Sequence, residues 1–347
     1  MSTITTNNGT QYKTPSFWQT AGAIYAGATA TSMIKSSGQI IGPHIINGMR
    51  KANGQIKDKV ELRNAINKAI EISGVKDKGV ELLDLSGSKS SGRKRIFDYI
   101  QKTPFSEGAV ANGAVNWAEK PVAIKDYALK KALLTEMPEW VKKTPLGKIY
   151  ASMIGETLKS GGNACFLPKA NKCIVNIDKL GTAAFHEIGH SINANMSKFW
   201  KVMQKMRTPA MLLGFAIPSV GLFKRKKMEG EETKGVFDKV TTFIKDNCGK
   251  LTTLAFVPVV AEELMATRRG NKLAKQLLNP ELYKKVVISN RFGAASYIFA
   301  ALSAGVGAFA GSKVRDYFTK PKLVKAEVQP EQPEQTEQTE QTEQAKA

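Results

Sequence analysis

Only three histidines occur in the 347-residue chain, and two of them stand four apart in Phe185-His186-Glu187-Ile188-Gly189-His190. On a helix, positions i and i+4 lie about one turn apart on one face, so both imidazoles can grip a single ion. Glu187 sits on the edge of that face, within reach of a water on the metal. The chemistry that suits this H-E-x-x-H pattern is hydrolysis by metal-activated water, with His186 and His190 as ligands to one Zn²⁺ per chain and Glu187 as the general base.

Catalytic zinc takes three protein ligands and leaves the fourth position open, so a third residue is required. His44 follows Gly42-Pro43 in a poorly patterned stretch and is not expected to be a ligand. Cys165, Cys173 and Cys248 lack C-x-x-C spacing, and so few cysteines argue against a disulfide framework and for a reducing compartment. A carboxylate is therefore expected. Glu262 and Glu263 close the otherwise apolar run Leu251–Ala261, an expensive place for charge unless it is paired or bound to metal. Glu263 shares a helical face with Ala266, Thr267 and Gly270, small residues that let another helix approach, and is the expected third ligand. Glu262 shares a face with Met265 and Arg269, and a surface pair with that arginine is its plainer reading.

The elements that must position these groups are legible nearby. Leu180, Ala184, Ile188 and Ile192 form an apolar stripe that predicts a helix packed on one face, with both histidines turned away from it. Gly189 costs such a helix about 1 kcal/mol against alanine, which suits close approach of another backbone or simple packing. Asp178 is the expected N-terminal cap. Cys173–Ile177 reads as a strand, paired with Ala164–Leu167 across the turn formers Pro168-Lys169-Ala170-Asn171, and Val80–Leu85 as a short strand. Helices are predicted over Ile56–Ile72, Ala128–Leu134 and Leu146–Leu158.

These stretches resemble the gluzincin metallopeptidases, and more narrowly the membrane-embedded group of CAAX prenyl endopeptidases and HtpX-type proteases. The likeness rests on Gly162-Asn163-Ala164-Cys165-Phe166-Leu167-Pro168 with Cys173-Ile174-Val175-Asn176-Ile177, on His186–His190, and on Glu263–Thr267. The resemblance implies a zinc endopeptidase whose substrate peptide lies along an edge strand, with Asn163, Ala164, Cys173, Ile174 and Val175 as substrate-binding residues. Thr267 stands where that group has an aspartate behind a metal-bound histidine. It and Glu262 are expected to support the ligands from outside the coordination sphere. The 73 positions from His190 to Glu263 suit a version with apolar helices inserted. Arg268 and Arg269 are the nearest donors for stabilising a transition state, with no spacing rule to choose between them.

The net charge is +21. The tail from Val324 contributes six glutamates against two lysines and almost nothing apolar, so it is expected to be disordered and the rest of the chain stands near +25. The basic residues are not interleaved with aromatics, so membrane lipids fit better than nucleic acid, and no nucleic-acid partner is expected. Phe292–Ser312 is uncharged and long enough to span hydrocarbon; Pro209–Phe223 is shorter and ends at Lys224-Arg225-Lys226-Lys227. Thr14–Ile34 is uncharged but weakly apolar, and no signal peptide is evident. Positive-inside reasoning, with Pro209–Phe223 and Leu251–Ala261 as a hairpin that dips without crossing, sets the zinc site on the cytoplasmic face. Gly87–Lys94 narrowly misses a phosphate-binding loop, since Arg93 and Lys94 fall where Lys and a hydroxyl are needed.

The expected fold is α+β: a mostly helical zincin-like domain with a small antiparallel hairpin, plus apolar membrane-associated helices. The chain divides into an N-terminal segment 1–50, a helical auxiliary region 51–140, the metallopeptidase region 141–290, an apolar helix 291–323 and the tail 324–347. The expected activity is peptide-bond hydrolysis on a peptide or protein substrate. A non-catalytic zinc-binding membrane scaffold is the alternative.

Overall fold

Residues 3–6, 9–88 and 120–324 are described by a computed structural model, so most of the Gly87–Lys94 loop and the tail beyond Val324 lie outside them. The described chain opens with β1 (Thr3–Thr5) and β2 (Gln11–Lys13), an antiparallel pair. Helix α1 (Phe17–Gly54) starts at a reciprocal capping box between Ser16 and Gln19. In α2 (Lys59–Ile72), Asp58 accepts from Glu61 N, and Leu62, Ala65, Ile66, Ala69 and Ile70 all point inward. After β3 (Glu81–Asp84) come α3 (Lys120–Glu136), α4 (Glu139–Lys142) and α5 (Pro145–Lys159), the last begun by a Thr144 cap and a proline at its first turn.

The strands β4 (Cys165–Leu167) and β5 (Lys172–Val175) follow, joined by a turn in which Asn171 takes the left-handed φ of 50°. A single-turn helix α6 (Ile177–Leu180) and a 3₁₀ turn at Gly181–Ala183 lead into α7 (Ala184–Met196), the helix with the histidines. Beyond it lie α8 (Lys198–Lys205), α9 (Arg207–Phe223), α10 (Gly235–Asp246), α11 (Cys248–Ala255) and α12 (Val257–Leu277). Asn279 caps α13 (Pro280–Phe318), and β6 (Lys322–Leu323) returns to pair with β2.

The helices α1 and α13 form the most extensive pairing among the described residues, and each runs unbroken across an expected division, at 50/51 and at 290/291. Thr31 of α1 bonds Gly307 O at 3.1 Å, and small residues at Gly27 and Gly311 bring the two backbones together. The lower end of α1 holds the entry to α7: Asn53 donates to Asp178 O at 2.9 Å and accepts from Thr182 N at 3.2 Å. The residue that caps α6 is Asn176, which accepts from Lys179 N, and α7 has no side-chain cap; Asp178 sits in the first turn of α6 instead.

The second sheet has the order β3-β5-β4, with β3 parallel to β5 and β4 antiparallel to it. The antiparallel hairpin expected from the sequence is therefore one part of a mixed sheet. Strand β5 is central, with both edges paired. Its side chains alternate between two cores: Cys173 and Val175 join α2, α7, α12 and α13, while Ile174 joins α3 and α5. Cys173, Ile174 and Val175 thus have neither a free edge nor an exposed side chain, and the expectation that they bind substrate is corrected.

Two glycines set the contact between α7 and α12. A Cβ on Gly189 would lie 2.1 Å from Ala266 O, and one on Gly270 would lie 2.3 Å from Phe185 O. Backbone meets backbone at both points, which leaves no room for a methyl group. Gly189→Ala and Gly270→Ala are each expected to lower stability by about 1–3 kcal/mol, although alanine is the better helix former. Thermal melting checks this, and an unchanged or raised melting temperature would show that the helices do not meet there.

Candidate metal centre

The crossing of α7 and α12 brings His186, His190 and Glu263 to one point. Separations between their nearest ligand atoms are 3.0 Å for His190 Nε2 to His186 Nε2, 3.1 Å for His186 Nε2 to Glu263 Oε2, and 3.2 Å for His190 Nε2 to Glu263 Oε2. The centre of such a triangle lies about 1.8 Å from each corner, so a point about 1 Å off its plane lies at the ~2.0–2.2 Å of a zinc bond from all three, and one small ion can touch them together. These three residues are a buried group that can hold a metal ion.

The outer ring nitrogens fix the tautomers. His190 Nδ1 lies 2.8 Å from Glu262 Oε1, and His186 Nδ1 lies 3.1 Å from Thr267 Oγ1. A carboxylate only accepts, so Nδ1 of His190 carries the proton and its Nε2 presents a lone pair; Thr267 can accept in the same way from His186. Three electron-rich atoms then face one another in a buried site, an arrangement that a cation relieves. Glu262 is not the surface partner of Arg269 that its face suggested: it is fully buried, and Asn193 Nδ2 donates to it at 2.8 Å.

Arg207, at the start of α9, spans both glutamates. It donates to Glu262 Oε2 at 3.3 Å and makes a closer contact with Glu263 Oε1. Burial alone would raise both carboxyl pKa values, but contact with His190, together with the other hydrogen bonds and Arg207, holds them below the ordinary range. Burial opposes charge on His190, yet the Glu263 carboxylate and the hydrogen bonds to Glu262 and Glu263 raise its pKa to about 10. Burial also raises Glu187, against the opposing pull of His190 and His186. Charge accounts for this pattern. A divalent ion and Arg207 together balance three carboxylates, Glu187, Glu262 and Glu263; without the ion, His190 takes up a proton and Glu187 is pushed toward neutrality.

Glu187 and His186 line a narrow cleft of about 90 Å³ together with Asn163, Ala164, Asn290 and Tyr297. Of the residues expected to bind substrate, Asn163 and Ala164 therefore reach the site and the β5 residues do not. His44 is an exposed residue of α1 outside the metal group, and the three cysteines are free. Arg268 is exposed and Arg269 half-buried, and neither lines the cleft. The functional groups that sequence reasoning missed are Arg207, Asn193 and Tyr297. Asn193 stands one turn beyond His190 and so carried a spacing signal, while Tyr297 stood out only as the one phenol in the uncharged run Phe292–Ser312. Arg207 carried none, because it reads as the flank of an apolar segment. Its guanidinium lies 5.9 Å from the Tyr297 ring.

Two helical stretches, Lys198–Phe223 and Pro280–Phe318, are long and apolar enough to cross a bilayer, and only 22% and 39% of their most apolar windows are buried. Met211, Leu212 and Phe215 on α9, and Leu302, Val306 and Phe309 on α13, are exposed. Helix α9 holds the metal centre at its Arg207 end and the Lys224–Lys227 cluster at the other, about 25 Å away for 17 residues. Lys198, Lys201, Lys205 and Arg207 flank the metal end in equal number, though more widely spaced. The charge bias that assigned the cytoplasmic face therefore does not discriminate between the two ends.

No protein-family model, curated protein or solved structure matches this chain.

Metal analysis of the purified protein is expected to give about one divalent ion per chain, lost on Glu263→Ala or His190→Ala, as three-ligand sites require. Because the His190 pKa is raised above its ordinary 6.5, the metal-free pairing stabilises the fold fully below pH 6.5 and fades as pH rises through about 10. Binding an ion must displace that proton. Calorimetry in buffers of different ionisation enthalpy should detect release of about one proton per ion at pH 7–8, and no release would contradict the pairing described.

Proposed function

We propose that the chain is a membrane-associated zinc metallopeptidase of zincin-like fold, with His186, His190 and Glu263 as the zinc ligands. The observation that carries this reading is the triangle of three ligand atoms at 3.0–3.2 Å, formed by two imidazoles of one helical turn and a carboxylate 73 positions away. Two imidazole nitrogens and one carboxylate oxygen favour zinc over calcium or magnesium, which prefer all-oxygen shells. A bound zinc ion supplies Lewis acidity, polarising a carbonyl and bringing the pKa of water toward ~7.

The protein's own groups do the rest. Glu187, beside His186 on the same cleft, accepts a proton from the attacking water and returns it to the leaving nitrogen. Its raised pKa brings it nearer to working pH than an ordinary glutamate, which suits a group that must both take and give a proton. Tyr297 lines the same cleft and offers a phenolic hydrogen to the oxygen that gains negative charge. Asn163 and Ala164 lead into β4, whose outer edge has no strand partner among the described residues. An extended peptide adds along that edge by main-chain hydrogen bonds, with peptides or proteins as the substrate class. The exposed apolar faces of α9 and α13 support seating in a lipid bilayer.

One observation favours a second reading. The cleft of about 90 Å³ is smaller than the roughly 300 Å³ or more of an ordinary ligand pocket. In a non-catalytic scaffold the ion would serve only to tie α7 to α12.

Glu187→Gln separates the two readings. The variant is expected to keep its metal while cleavage of peptide substrates falls by about 10²–10⁴-fold. Cleavage at the wild-type rate would rule out the mechanism, and a zinc-loaded wild type inert toward all peptides tested would favour the scaffold.

A further inference from the structure

We propose that a basic cavity at the far end of α9 and α13 from the metal centre binds the phosphate of an anionic phospholipid headgroup. The proposal rests on the membrane-associated reading above. The cavity has a volume of about 530 Å³ and is walled by the segment after α9, including Lys226, and by Lys313, Arg315, Asp316, Tyr317 and Lys320. That is ample space for a glycerophosphate group.

Some of the charges there are spent on one another, three lysines are not, and one exposed carboxylate, Glu229, shares the wall. Glu231 holds Arg225, and Asp238 holds Lys224 and Lys227. Asp316 is taken by Lys245 at 2.9 Å and by Arg315 at 3.2 Å. Among the described residues, no carboxylate pairs with Lys226, Lys313 or Lys320, and all three side chains are exposed. Arg315 supplies a second and independent sign. It is 3% exposed, its Nη1 bonds Asp316, its Nη2 bonds Phe223 O at 3.4 Å, and its buried Nε has no acceptor. That guanidinium stands in the wall of the cavity, and its charge adds to the field that would hold a phosphate.

The carbonyl end of α9 would repel an anion, but cations already cover it. Lys245 Nζ bonds Gly221 O at 2.7 Å, and Arg315 covers Phe223 O. The position selects a lipid over a soluble phosphate. The cavity opens where both apolar stretches end, and Phe223, Tyr317 and Phe318 are exposed around it, as aromatic side chains are at the interfacial level of a bilayer. A basic pocket at the end of apolar helices is the arrangement that holds phospholipid headgroups.

The test uses the full-length protein in a non-ionic detergent, titrated with dioctanoyl phosphatidylglycerol, dioctanoyl phosphatidylcholine or inorganic phosphate, with binding followed by microscale thermophoresis. Phosphatidylglycerol is expected to bind about ten-fold more tightly than either of the others. The double variant Lys226→Gln/Lys320→Gln, which changes exposed side chains only, is expected to lose about ten-fold in that affinity with its melting temperature in detergent unchanged. Equal affinity for the two lipids, an unaltered affinity in the variant, or inorganic phosphate binding as tightly as the lipid would each overturn the site. Flotation with vesicles of phosphatidylcholine alone or mixed with phosphatidylglycerol tests the membrane reading separately. Failure to float with either vesicle overturns that reading and this proposal together, whereas flotation with both and no headgroup preference in the titration overturns the site alone.

Discussion

The α7–α12 contact governs the rest of the molecule. Gly189 seats on the backbone of Ala266 and Gly270 on that of Phe185, so the two helices touch at two points that on α7 directly adjoin His190 and His186. This closeness decides which side chains meet. Glu262 and Glu263, one turn before Ala266, are carried directly against His186 and His190. With a methyl group at either glycine the axes would separate, and a triangle with sides near 3 Å tolerates little displacement. Two adjacent carboxylates with no exposed surface are costly to bury, and they persist only because imidazoles, Asn193 and Arg207 satisfy them.

Around this polar centre the protein divides its labour by depth. Helix α2, strand β5 and the beginning of α13 supply the apolar core under α7, and the end of α1 ties down the turn that leads into it. The other half of the molecule is a set of helices running away from the site, with α1 paired along α13. Arg207 joins the halves: it belongs to the apolar segment that departs, yet its charge is used at the metal centre. The support given to the two histidines is unequal. His190 is backed by a carboxylate and His186 by a hydroxyl, so with an ion bound the basicity conferred by these outer partners would fall mainly on His190.

Much of the site was legible in the residues. The H-E-x-x-H spacing needs only the 3.6-residue period, and the small face Ala266, Thr267, Gly270 beside Glu263 needs only the same period plus residue size. The hairpin at β4 and β5 followed from β-branched residues around a turn. The pairing of β3 with β5 did not follow, because parallel partners are brought together by a long crossover whose path no local pattern encodes. That one pairing turned an expected edge strand into a central one and removed Cys173, Ile174 and Val175 from the list of groups open to a ligand. For Glu262, a helical wheel reports which residues share a face, not what packs against that face, so it left open whether this carboxylate would back a histidine or pair with Arg269 at the surface.

The chain's local periodicity by itself determined that His186, Glu187 and His190 point from one helix and that Glu263 lies on a face made for close contact, since both depend on separations of at most seven residues. Tertiary structure alone decided that Arg207 completes the carboxylate pair, that His190 is the histidine Glu262 backs, and that Tyr297 from α13 enters the cleft. Those meetings join residues from 55 to more than 100 positions apart. At such distances the outcome is set by which helices pack together and how closely, a property of volumes and backbone contacts that no short stretch of residues carries.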